Sequence, residues 1–144
     1  MVTAEETGNR MSQLWVKLRM GYVALRSGNL AEAHQLLRET AYEFAEDGYT
    51  VGALFALEGM AGLYLALGKP VRAAPLIGWA DALRVKINDP RPNIEQADVD
   101  KIIAACLAKL GEAAFSDGYD EGVKMSLDEA LAFAFEENWE KSGG

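Results

Sequence analysis

Residues 14–37 and 54–77 are two versions of one pattern, displaced by 40 positions. Leu14/Leu54, Met20/Met60, Leu25/Leu65, Gly28/Gly68, Ala33/Ala73 and Leu36/Leu76 are identical. Trp15/Phe55, Val23/Leu63 and Leu37/Ile77 agree in kind. Repetition at this distance marks stacked helical hairpins, because one hairpin cannot bury its apolar face without a neighbour. An all-α fold follows, and with it a bias toward binding, since such stacks present extended surfaces to partners.

The rest of the chain reads as helix broken by turns. The first predicted helix, about Met11 to Ser27, is apolar on two faces: Leu14, Leu18, Tyr22 and Leu25 on one, Val16, Met20 and Val23 on another. Ser27-Gly28-Asn29 is a turn, with Gly28 as C-terminal cap and Asn29 as N-cap. The second helix, about Leu30 to Glu46, turns Ala33, Leu37, Ala41 and Phe44 inward and Glu32, Gln35, Glu39, Glu43 and Glu46 to water. Asp47-Gly48 closes it. The third, about Thr50 to Leu67, carries Glu58 as its one charge and reads as a central helix buried on both sides. Its Gly59 and Gly62 invite close approach of a neighbour. After Gly68-Lys69-Pro70, the fourth runs to Ile87 with Ala73, Ile77, Ala80 and Ile87 in a stripe and Pro75 inside it.

Asn88-Asp89-Pro90-Arg91-Pro92 breaks the pattern and marks the internal boundary. Asn93 with Gln96 opens a fifth helix that ends near Leu110-Gly111. A short sixth spans Glu112 to Val123, with Phe115 and Tyr119 four apart. The capping box Ser126-Leu127-Asp128-Glu129 opens a seventh that carries Leu131, Phe135 and Trp139. The expected organisation is a disordered tail over 1–10, two hairpins over 11–87, a linker over 88–93 and C-terminal helices over 94–140 packed on the repeats, as one domain. Ser142-Gly143-Gly144 is expected to fray.

At 144 residues and net charge −8, with Arg and Lys scattered, the chain lacks the clustered positive surface that direct nucleic-acid binding needs. Its acidic balance serves solubility first. A lone Cys106 in an apolar run fits a small buried hydrophobe and a reducing cytoplasm. The acidic N-terminus is no signal peptide, and Glu58 in the middle of the apolar run Val51 to Gly68 argues against a membrane span. His34, the one histidine, reads as an exposed helix position, and no second ligand or serine stands at metal or catalytic spacing. Glu39, Glu43 and Glu46 read as a solvated face. No phosphate loop and no helix-turn-helix is present; Gly68-Lys69-Pro70 resembles the end of a phosphate loop only superficially. No enzyme activity, cofactor or metal is therefore expected.

The repeats resemble tetratricopeptide repeats through Gly21, Gly28, Ala33 and Leu37 in the first copy and Ala61, Tyr64, Gly68, Ala73 and Ile77 in the second. Departures are Ala24 at the aromatic position, Lys17 at a bulky one, and a period longer than the usual 34 or so. The run Leu18 to Gly28 is similar to the C-terminal helical repeats of bacterial LuxR-type, maltose-activator-like regulators and of signal-transduction ATPases. So are Ala73 to Gly78 with Ala82-Leu83-Arg84, and Leu110 to Phe115 with Ser126 to Ala130. The resemblance implies a right-handed α-solenoid of two hairpins plus about three C-terminal helices. It implies a protein–protein interaction or regulatory module, sensor-like, that controls an attached output domain.

Carried over residue by residue, the resemblance puts Trp15, Leu18, Tyr22, Leu25 and Arg26 of the first repeat on the concave binding face. From the second it puts Phe55, Glu58, Gly62, Leu65 and Ala66 there. Aromatic and aliphatic groups with one acid and one base make a protein-binding composition. Glu58, costly to bury unpaired, either pairs with an arginine such as Arg19 or Arg26 or anchors a ligand. The expected partner is a protein or peptide, with a second copy of the chain as one candidate; the C-terminal helices are another cover for this face. The alternative functions are a small-molecule effector receptor and a homodimerisation domain.

Overall fold

A computed structural model describes residues 4–135, with side chains from Gly8 onward. Among these residues the fold is all-α, with seven helices: α1 (Ala4–Arg26), α2 (Leu30–Glu46), α3 (Thr50–Ala66), α4 (Pro70–Ile87), α5 (Asn93–Leu110), α6 (Glu112–Val123) and α7 (Leu127–Ala134). Bounds from α2 to α6 fall within a residue of the expected ones. Two ends differ: α1 begins at Ala4 where the sequence suggested Met11, and α7 ends at Ala134, so that Phe135, expected inside the helix, is its C-terminal cap. Trp139 and the terminal Ser142–Gly144 lie outside the described residues.

The turns are where the chain repeats most strictly. Gly28, Gly48, Gly68 and Asn88 follow one another at intervals of 20 residues, and each has a left-handed backbone, with φ of 83°, 75°, 75° and 54°. At each, two backbone bonds close the preceding helix in the same way. Gly28 donates to Leu25 and Asn29 to Ala24; Gly48 to Ala45 and Tyr49 to Phe44; Gly68 to Leu65 and Lys69 to Tyr64; Asn88 to Val85 and Asp89 to Arg84. This is the Schellman arrangement, in which the last carbonyls of a helix are satisfied by the two residues after its cap. Gly28 and Gly68 thus occupy equivalent bends, and the 40-residue period resolves into two helix-and-turn steps of 20.

Asn29 does stand at the N-cap of α2, yet its side chain makes no capping bond. Its backbone is already committed to closing α1, and ψ of 72° lies away from the extended geometry that aims a cap side chain. Asn93 and Gln96 do not form a capping box either. Pro92 holds the N-cap, and the Gln96 amide donates instead to Asp100 at 2.8 Å. The Ser126–Glu129 box does form, both ways, at 3.1 and 3.0 Å.

The described residues fall into two compact units, divided inside α3 between Gly59 and Met60. The Asn88–Pro92 segment is a turn within the second unit. In the first unit, α1 and α2 form a hairpin with the start of α3. Ala33, Leu37, Ala41 and Phe44 are buried as their spacing predicts. Thr40 joins them, its hydroxyl donating back to the Leu36 and Leu37 carbonyls at 2.9 and 3.1 Å. Glycines let the helices approach: Gly52 lies under the Phe44 ring, and a Cβ at Gly21 would sit 3.1 Å from Leu37 Cδ2.

In the second unit α4 is the central helix, buried on every side from Arg72 to Ala80. Ile87, expected in its apolar stripe, is exposed at the helix end. Pro75 is accommodated without a break in α4. Its carbonyl meets Gly122 of α6, and Gly78 meets the Tyr119 carbonyl, so α4 and α6 touch backbone to backbone. The short α7 is held at its C-terminal end. Tyr64 donates to the Ala134 carbonyl at 2.7 Å, and Arg72 donates to the Phe133 carbonyl at 2.5 Å while its guanidinium lies 4.0 Å from the Phe133 ring centre. Cations are favoured there, where helix carbonyls lack partners. Cys106 is buried, and burial pushes its thiol up.

Candidate functional site

The two apolar faces of α1 have different fates. Leu14, Leu18 and Gly21 are buried against α2 and the start of α3. Lys17 fixes the rotation of the helix, its Nζ standing 2.6 Å from Glu39 and 3.6 Å from Glu43. That ion pair raises the Lys17 pKa and lowers that of Glu39. Val16, Met20 and Val23, at i, i+4 and i+7, are left on the opposite face. They are 53%, 50% and 57% exposed. Three large apolar side chains on one helical stripe are a patch, unlike scattered surface hydrophobes.

Beside this stripe runs a shallow groove of about 330 Å³, which Ala24, Ser27, Asn29 and the first turn of α2 complete. Its two charges are Arg19 and Glu32, both exposed. Neither makes an ion pair or hydrogen bond among the described residues.

Several residues expected on the concave face lie inside the first unit. The Trp15 ring centre is 5.1 Å from that of Phe44, 6.0 Å from Tyr49 and 5.5 Å from Phe55. This aromatic knot joins the hairpin to α3. Leu18 is buried at 3% exposure; Leu25 and Phe55 are half-buried. Tyr22 is half-buried and donates its hydroxyl to the Phe55 carbonyl at 2.5 Å, satisfying the group with a neighbouring helix. Glu58 is half-buried, whereas Arg19 and Arg26 are exposed and make no ion pair among the described residues, so neither is its partner. Leu65 belongs to the second unit and is half-buried. The structure therefore brings Trp15, Tyr22 and Phe55 together with Phe44 and Tyr49, which the repeat comparison did not single out.

His34 is half-buried where an exposed position was expected. Burial first, and Arg38 one turn on, push its pKa down to about 4. In the second unit a polar cluster links α4 and α6 to the turn before α5. Tyr119 donates to one Asp81 oxygen at 2.6 Å and Arg91 to the other at 2.6 Å. Burial and the carboxylate push the Tyr119 hydroxyl up to about 12, so it stays protonated. With both carboxylate oxygens engaged, the arrangement clamps structure and offers no free base.

Among the described residues no group of His, Cys, Asp and Glu could hold a metal ion, and no helix is long and apolar enough to cross a membrane. Compared with known proteins, the chain matches no family model, no curated protein and no solved structure.

Proposed function

We propose that this chain is a tetratricopeptide-like helical solenoid that acts as a non-enzymatic, cytoplasmic protein-interaction module, the sensor-like repeat domain of a bacterial regulator. The observation that carries the reading is the exposed stripe Val16, Met20 and Val23 on α1. Leaving such a stripe in water forgoes roughly 25 cal/mol for each Å² of apolar area, which a partner helix or peptide recovers by covering it. The 20-residue turn period supports the repeat architecture. An open groove suits a helix face better than a small effector, which needs enclosure on most sides.

Photo-crosslinking tests the reading. Benzoylphenylalanine introduced at Val23, in cells of the source organism, is expected to give discrete protein adducts. The same group at Ser116, an exposed position on α6, is expected to give none. Equal yields at both positions, or no adduct from Val23, would count against an interaction surface on α1.

A further inference from the structure

We propose that α7 is a displaceable latch, and that its seat on α3 and α4 receives the C-terminal end of another amphipathic helix. The inference concerns the second unit alone and stands apart from the reading of α1. Two helices pack on α4, and they do so differently. α6 meets it backbone to backbone at Gly78 and Gly122, a fit with no side chain to give way. α7 is held instead through long side chains. Tyr64 donates to the Ala134 carbonyl and Arg72 to the Phe133 carbonyl. The Arg72 guanidinium lies 5.4 Å from the Tyr64 ring centre and 4.0 Å from that of Phe133. Tyrosine and arginine concentrate in reversible interfaces, and a phenol and a guanidinium regain hydrogen bonds from water when their cover leaves.

α7 itself shows what the seat accepts. Both bonds go to main-chain carbonyls, which every helix leaves without intrahelical partners in its last turn and which form its negative dipole end. Side chains add the selection. Ala130, Leu131, Ala134 and Phe135 are buried, while Asp128, Glu129 and Ala132 stay in water. A fitting partner is therefore an amphipathic helix with apolar residues in that register and an aromatic one where Phe133 stands. At 8 residues, α7 is below the length at which a helix holds in water by itself, so it docks and leaves as one piece. Its capping box lies within the Ser126–Glu129 segment and moves with it.

The test uses the full chain and an amidated peptide of residues 124–135. Native-state amide exchange is expected to show α7 opening at least about tenfold more readily than α4 and α6. Excess peptide at millimolar concentration, comparable with that of a short tether, is expected to speed α7 exchange further and leave α4 and α6 unchanged. Leu131→Asp puts a carboxylate on the buried side of α7 and is expected to vacate the seat. By fluorescence anisotropy this variant is expected to bind the fluorescein-labelled peptide at least about tenfold more tightly than wild type does. A Phe133→Ala peptide is expected to compete about threefold less well, for want of a ring against Arg72. Exchange of α7 only in step with α4 overturns the inference. So does α7 exchange indifferent to the peptide, a result read on the wild-type chain and valid even should Leu131→Asp lose its helical signal. Equal peptide binding by wild type and a folded Leu131→Asp chain overturns it too, as does a Phe133→Ala peptide that competes undiminished.

Discussion

At Gly122 the side chain is a hydrogen because the Pro75 carbonyl occupies the place of a Cβ. Four residues earlier, Gly118 has a softer neighbour, the Ala74 methyl at 3.2 Å from where its Cβ would be. Gly122→Ala is therefore expected to cost about 1–3 kcal/mol or more by driving α6 off α4, and Gly118→Ala distinctly less; denaturant midpoints measure the difference. The turns give a second contrast. Gly48→Ala forces a side chain into φ of 75° and is expected to cost about 1–2 kcal/mol. Asn88→Gly, at φ of 54°, is expected to cost nothing measurable by the same method. Gly28 and Gly68 were readable from the repeat because glycine is the common residue at such bends. Asn88 was not, since asparagine there is one of several turn uses of that residue. Gly118 and Gly122 gave no signal, because nothing in the chain says which backbone will come against them.

Element boundaries were largely legible, since hydrophobic period and turn residues act locally. Caps were less so: a side chain caps only when its own backbone and neighbours leave it free. Gln96 is taken by Asp100 and accepts from Arg91 at 3.3 Å, whereas Ser126 and Glu129 bond each other both ways. The short α7 depends on that box, and Ser126→Ala is expected to cost about 1 kcal/mol, seen as earlier amide exchange in α7. On α2, His34 supplies a pH signature. Its folded pKa of about 4 lies below the ordinary 6.5, so the unfolded chain takes up the proton first as pH falls. The stability held by neutral His34 is complete above about 6.5 and is lost progressively toward 4. His34→Gln should flatten the pH dependence of the unfolding free energy between those values; an unchanged slope would exclude this contribution. Burial of His34 escaped the sequence reading because its neighbours Glu32, Gln35 and Arg38 are polar.

For the molecule as a whole, the all-helical fold was legible from one repeated pattern; which apolar face of α1 stays in water was not. The comparison of repeats pointed to Trp15, Leu18, Tyr22 and Phe55, which the first unit uses to hold itself together. Val16, Met20 and Val23, the second apolar face of the same helix, are left in water. Both faces of α1 are apolar at the same spacing, so only packing decides which is core. The account stands on that stripe serving association and not folding. Its most direct test is the equilibrium unfolding free energy of the Val16→Ser, Met20→Ser, Val23→Ser triple variant, measured at concentrations where the wild type is dilute. The account predicts a value within about 0.5 kcal/mol per site of wild type, as for surface positions. A loss of several kcal/mol would show that these residues belong to the core and contradict it.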